Sequence, residues 1–127
     1  MFSLPDSLPA LRTALQKVAP DSLIVVCYCA AWCDTCKAYQ PEFAQLAERH
    51  PEHVFVWVDI EENEALLDDH DVENFPTLLV QRQAQNVFFG PMLPQIGHLE
   101  RLLAQAAAYP ALEDGPAPFS ELIITAA

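Results

Sequence analysis

The chain has 127 residues, 52% hydrophobic and 19% charged, so it is apolar enough to fold and sized for one domain with one core. Its formal net charge of -12, from 6 Lys and Arg against 18 Asp and Glu, disfavours nucleic acid and anionic membrane surfaces as partners. Apolar runs such as 23–29 and 54–58 are strand-sized, and none reaches the ~20 residues that span a bilayer.

Residues 1–6 carry no basic segment and lead into no continuous apolar stretch, so no secretory signal is expected and the cytoplasm is the expected compartment. Leu8, Leu11, Leu15 and Val18 recur at helical spacing. Asp6 or Ser7 can cap them, Pro9 is tolerated in a first turn and Pro20 closes the segment, which predicts a helix over 8–18. The run 23–29 is apolar throughout and rich in β-branched residues, the pattern of a strand buried on both faces. Beyond it, Cys36, Tyr39, Phe43, Leu46 and Ala47 share one helical face; Pro41 should kink this helix, and it ends before Pro51.

A second strand is expected over 54–58. The stretch 59–73 holds eight acidic residues around Ala65, Leu66 and Leu67, reads as a short solvated helix, and lacks the spacing of a calcium loop. Residues 78–81 and 87–89 are strand-like and separated by a turn, which predicts an antiparallel hairpin. Gly90, Pro91 and Pro94 mark a loop, and Leu99, Leu102, Leu103 and Ala106 a last helix. Pro110, Gly115, Pro116 and Pro118 then change the composition, so the expected division is a domain over 1–108 and a Pro-rich C-terminal extension over 109–127. The apolar end, 119–125, either packs back on the domain or pairs with a sheet edge; its sequence suits both. The element order is that of an α/β chain, a central mixed β-sheet flanked by helices.

All four cysteines, Cys27, Cys29, Cys33 and Cys36, lie within ten residues, which suggests chemistry at one place and not a disulfide framework spread along the chain. The sharpest feature is Trp32-Cys33-Asp34-Thr35-Cys36-Lys37, set where a strand feeds a helix. One helical turn holds the two sulfurs close enough to bridge. It also puts Cys33 at the helix N-terminus, where free N–H groups and the macrodipole favour a thiolate. Cys33 then attacks a substrate disulfide and the deeper Cys36 resolves the mixed disulfide. Asp34 should oppose the dipole and Thr35 can donate a hydrogen bond to the thiolate.

At these residues the chain resembles the thioredoxin family, over about 23–108. The shared pattern is a buried strand, Trp-Cys-x-x-Cys-Lys, a proline five residues after the second cysteine (Pro41), and Phe75-Pro76-Thr77 ahead of a hairpin. The resemblance implies the thioredoxin fold and a thiol–disulfide oxidoreductase working through a Cys33–Cys36 disulfide with no other cofactor. It implies Cys33 as nucleophile, Cys36 as resolving thiol, Trp32 as aromatic flank, Pro76 as a cis-proline against the sulfurs, and Phe75 as the backbone position that pairs with substrate. Partners implied are protein disulfide substrates and a reductase or other thiol electron donor.

The departures from the family pattern are local. The buried Asp six residues before the first cysteine is here Cys27, and the Trp four before it is Cys29. Asp34-Thr35 replaces Gly-Pro, and the chain ahead of the first helix looks too short for the family's opening strand. Without a buried carboxylate, Cys36 lacks a candidate general base. That loss keeps open a second reading, a non-catalytic thioredoxin-fold module that binds or chaperones a partner.

Cys27 and Cys29, two apart in a strand, point to one face and are hard to bridge to each other. Both read as small buried hydrophobes, with a secondary redox role open for Cys29. A zinc site built from all four cysteines is disfavoured, because two of them sit in a strand. His50, His53, His70 and His98 are scattered, although His50 and His53 lie together at a helix end where a metal can be reached. Trp57 and Tyr28 read as core.

Overall fold

The structure is a computed structural model that describes residues 1–4, 6–17, 19, 22–30, 32–61, 76–82, 85–106 and Phe119. Its elements are β1 (Phe2–Leu4), α1 (Leu8–Gln16), β2 (Leu23–Cys29), α2 (Asp34–Arg49), β3 (Val54–Asp59), β4 (Thr77–Arg82), β5 (Gln85–Pro91) and α3 (Ile96–Gln105). The strands form one sheet in the order β1-β3-β2-β4-β5. β1, β3 and β2 run parallel, whereas β4 runs antiparallel to β2 and β5 antiparallel to β4. The expected mixed sheet with flanking helices is what the chain forms.

β2 is the middle strand, and every one of its residues is buried. That is why its sequence reads as an unbroken apolar run and not as an alternation. Leu23, Val25, Cys27 and Cys29 pack with Phe43 and Leu46 of α2 and Leu99 and Leu103 of α3. Ile24, Val26 and Tyr28 pack with Leu11 of α1 and with Leu4 of β1. The period of two along the strand thus sorts its side chains between two helical layers.

The expectation that the opening strand is missing is corrected. Phe2, Ser3 and Leu4 pair in parallel with Val56, Trp57 and Val58 of β3. Three residues suffice because β1 is an edge strand with one partner, and the chain turns at once into α1, with Ser7 N–H donating to Ser3 O at 2.7 Å. α2 runs on through Pro41, which lies on the exposed face as does Lys37, the residue whose carbonyl loses a helical donor there. β4 and β5 form the expected hairpin, with a register irregularity between Val80 and Gln81. The acidic helix expected within 59–73 falls mostly outside the described residues; Asp59 ends β3, and Ile60 and Glu61 lie in a turn.

Of the expected extension, one residue is described. Phe119 is fully buried on the α1 face among Leu11, Tyr28 and Leu79. Its backbone N–H donates to Gln81 Oε1 at 2.8 Å, and Gln81 Nε2 donates to Asn86 Oδ1 at 2.8 Å. A glutamine wholly buried in β4 is thereby satisfied on both atoms of its amide.

Candidate active site

The four cysteines converge at the C-terminal end of β2, the end of the parallel strands at which α/β proteins place their chemistry. β2 stops at Cys29, whose carbonyl accepts the Ile60 N–H at 3.0 Å. Cys33 N–H then donates to Ala30 O at 3.1 Å and turns the chain. Cys33 itself has extended φ and ψ of -86° and 117° and is the N-cap residue of α2. Its carbonyl accepts the Lys37 N–H at 3.1 Å, the first bond of the helix. The strand thus supplies Cys27 and Cys29, and the first turn of the helix supplies Cys33 and Cys36.

Cys33 is half-buried, while Cys36 is 1% exposed and packs into the core beneath α2. The surface sulfur and the shielded sulfur are therefore the two that the motif suggests. The bond between them is not. Cys36 is disulfide-bonded to Cys29, with their Cα atoms 5.9 Å apart, and Cys33 is a free thiol. The expected Cys33–Cys36 disulfide is corrected to Cys29–Cys36 in this form of the protein. The reason is packing: odd-numbered residues of β2 face α2, and Cys29, the last of them, lies under the turn that carries Cys36.

Cys27 is also free and is fully buried. Its Sγ lies 3.8 Å from Cys29 Sγ, in contact and unbonded, as two same-face strand neighbours should be. A disulfide sulfur carries no proton, so the donor in this contact is the Cys27 thiol. Burial pushes the Cys27 thiol well above its ordinary value and holds it protonated. Tyr39 lies one turn beyond Cys36 in α2, with its hydroxyl buried and without a hydrogen-bond partner among the described residues. Burial is the main cause that pushes its pKa up, and the Glu42 carboxylate adds to the effect.

Trp32 is 64% exposed, and its Nε1 donates to the Glu61 carboxylate, which fixes the indole between the α2 turn and the end of β3. Asp34 pairs with Lys37 at 3.9 Å on the exposed surface of the first turn. Pro76 is buried immediately before β4, and its carbonyl accepts the Met92 N–H at 3.1 Å. Thr77 pairs with Tyr28, so continuing the antiparallel register sets Pro76 opposite Cys29. Phe75 lies outside the described residues.

Tyr28 is core, as expected, and Trp57 packs partly buried against Phe43 with ring centroids 5.8 Å apart. His50 and His53 stack at 5.9 Å, and with Glu52 they form one group of three potential metal ligands among the described residues. His53 Nδ1 already accepts the Leu23 N–H at 3.0 Å, and His50 Nδ1 lies 3.8 Å from the Glu52 carboxylate. His98 sits apart, against Gln95, and His70 lies outside the described residues.

A strand-to-helix turn bearing a half-buried thiol above a buried disulfide defines a class of protein built around sulfur. The thioredoxin family model matches residues 10–91. Mouse thioredoxin is 33% identical over 87 residues, covering 68% of this chain and 82% of that protein. The mouse thioredoxin domain-containing protein 2 is 32% identical over 91 residues, which span 70% of this chain and 17% of that much longer protein. Among solved structures, Fasciola hepatica thioredoxin superposes with a TM-score of 0.68 at 25% identity, covering 84% of this chain and 99% of that one. The chain belongs to the thioredoxin family.

Proposed function

We propose that this protein is a thiol–disulfide oxidoreductase that exchanges a dithiol for the disulfide of a protein substrate. Cys33 attacks one sulfur of the substrate disulfide, a mixed disulfide forms, and the other substrate sulfur leaves as a thiolate. Cys36 then attacks Cys33 and releases the reduced substrate. The observation that carries this reading is the split in accessibility at the helix start, where the N-cap Cys33 is half-buried and Cys36 is buried one turn below it. By the family pattern, Trp32, Phe75 and Pro76 are the residues proposed to receive the substrate chain. A reductase protein or other thiol donor returns the electrons, and the cytoplasm, which supplies such donors, is the proposed compartment.

Reduction of insulin by the full chain, with dithiothreitol as electron source, tests the reading. Turnover is expected for the wild type, and Cys33→Ser is expected to fall to the uncatalysed background. A Cys33→Ser variant that keeps wild-type turnover sinks the assignment.

A further inference from the structure

The motif accounts for Cys33 and Cys36 but leaves Cys27 and Cys29 without a task, although they belong to the same sulfur cluster. We propose that Cys29 is a third redox-active cysteine, which takes the disulfide over from Cys33 and stores it inside the domain. This rests on the reading of Cys33 and Cys36 as the exchanging pair. After exchange with substrate has produced Cys33–Cys36, the Cys29 thiolate attacks Cys36 Sγ. The Cys29–Cys36 bond forms, the Cys33–Cys36 bond breaks, and Cys33 departs with the electron pair as a thiolate. Cys29 has lost one proton and Cys33 binds one, so the step is an isomerisation that consumes no oxidant or reductant. In reverse, Cys33 attacks Cys36 and brings the disulfide back to the surface, where an electron donor can reach it.

Three observations support the relay. Cys36 bonds to Cys29 and leaves Cys33 as a thiol, so the structure holds the end point of the step. Cys29 and Cys36 are each 1% exposed, whereas Cys33 is half-buried, so the stored disulfide is out of reach of a protein thiol unless Cys33 opens it. Exchange requires the attacking sulfur to approach along the disulfide, and a buried pair denies that approach. Finally, Cys27 Sγ lies 3.8 Å from Cys29 Sγ. A protonated Cys27 is a hydrogen-bond donor aimed at the sulfur that becomes a thiolate whenever the relay runs toward the surface, and it substitutes for solvent there. Cys27 is therefore a positioning residue for Cys29.

The test is a map of disulfides against time. Fully reduced full-length protein is mixed with an excess of insulin as oxidising substrate, quenched in acid, alkylated and cleaved before Asp34. That cut separates Cys33 from Cys36, and fragmentation of the peptides then shows which cysteine carries the label. The wild type is expected to show Cys33–Cys36 first and Cys29–Cys36 later, with the label moving from Cys29 to Cys33. After oxidation with diamide, Cys33→Ser is expected still to lose two thiols, as Cys29–Cys36. Oxidised Cys29→Ala is expected to hold only Cys33–Cys36 and to be reduced faster than wild type by a protein thiol.

Persistence of Cys33–Cys36 in the wild type, with Cys29 labelled at all times, together with no thiol loss in Cys33→Ser, overturns the relay. If insulin reduction by the wild type still depends on Cys33 in that case, the exchange reading stands and only the relay falls. If Cys33→Ser forms the buried disulfide but the wild type shows no Cys33-dependent turnover, the exchange reading falls and takes the relay with it. Should Cys29→Ala fail to fold, Cys33→Ser and the wild-type time course decide the matter.

Discussion

The two faces of β2 are built from the same strand and do different things. On the α1 face, Ile24, Val26 and Tyr28 meet Leu11, Leu79 and Phe119, and Tyr28 meets Phe89 edge-on at 6.5 Å. These are large side chains in close packing, and their contribution is stability. On the α2 face, β2 offers Leu23 and Val25 first and then Cys27 and Cys29 as it nears the active turn. A cysteine buries less apolar area than valine or leucine, so this end of the strand gives up packing for polarizable sulfur. Phe43 compensates from α2, with Phe55 at 5.4 Å and Trp57 at 5.8 Å. The comparison teaches that a buried strand can present close packing as scaffold on one face and a cluster of sulfurs on the other, and that the period-two alternation keeps the two apart.

Substitutions on the two faces should separate these roles. The largest expected effect on stability lies on the scaffold face. Phe119→Ala removes a wholly buried ring and is expected to cost about 3–5 kcal/mol in urea unfolding, in the range typical of aromatic truncation in a core. Thiol reactivity toward alkylating reagents in the folded state should stay as in wild type. A cost below about 1 kcal/mol would show that Phe119 is not part of the cooperative core.

On the sulfur-bearing face, Cys27→Ala is expected to cost less, about 1–2 kcal/mol in the same measurement, since it deletes only a sulfur. Its signature lies in pH. Burial raises the Cys27 thiol above its ordinary value of 9.0, so above that pH the unfolded chain sheds a proton that the folded chain retains. Unfolding is then favoured by rising pH: the stability curve is flat in this respect below pH 9.0 and falls above it. Tyr39, raised from its ordinary 10.0 chiefly by burial, steepens the fall at higher pH. Cys27→Ala should flatten the onset of the decline, and Tyr39→Phe its steeper part. An alkaline limb unchanged in both variants would break the argument that these groups are neutral and desolvated.

The smallest effect is expected at the rim. Glu61→Gln keeps a partner for the Trp32 indole but removes its charge. Both groups are exposed, so stability should change by no more than ~0.5 kcal/mol. Tryptophan fluorescence should shift, because the indole leaves the field of a carboxylate. An unshifted spectrum would mean that the contact does not hold Trp32 in solution.

Much of this architecture was legible in the residues. The run Leu23–Cys29 is bounded by Pro20 on one side and by the start of a helix on the other, so length and β-branching marked a central strand over the range it occupies. The apolar spacing of Tyr39, Phe43 and Leu46 likewise gave the inner face of α2. The opening strand was missed because three residues are too few for periodicity to register; it exists through its pairing with β3. The anchoring of Phe119 was open because an apolar stretch after a Pro-rich segment carries no local sign of its destination, and Gln81, which receives its N–H, is 38 residues earlier.

The sequence by itself determined that a cysteine pair opens a helix behind a buried strand, because residues three apart at a helix start fall within one turn whatever the rest of the chain does. Which sulfurs bond was decided only by the tertiary structure. Cys29 and Cys36 are seven residues apart, in different elements, and no local rule relates them. They meet because α2 folds back across the sheet with its apolar stripe against the odd-numbered face of β2, which brings the last residue of the strand beneath the first turn of the helix.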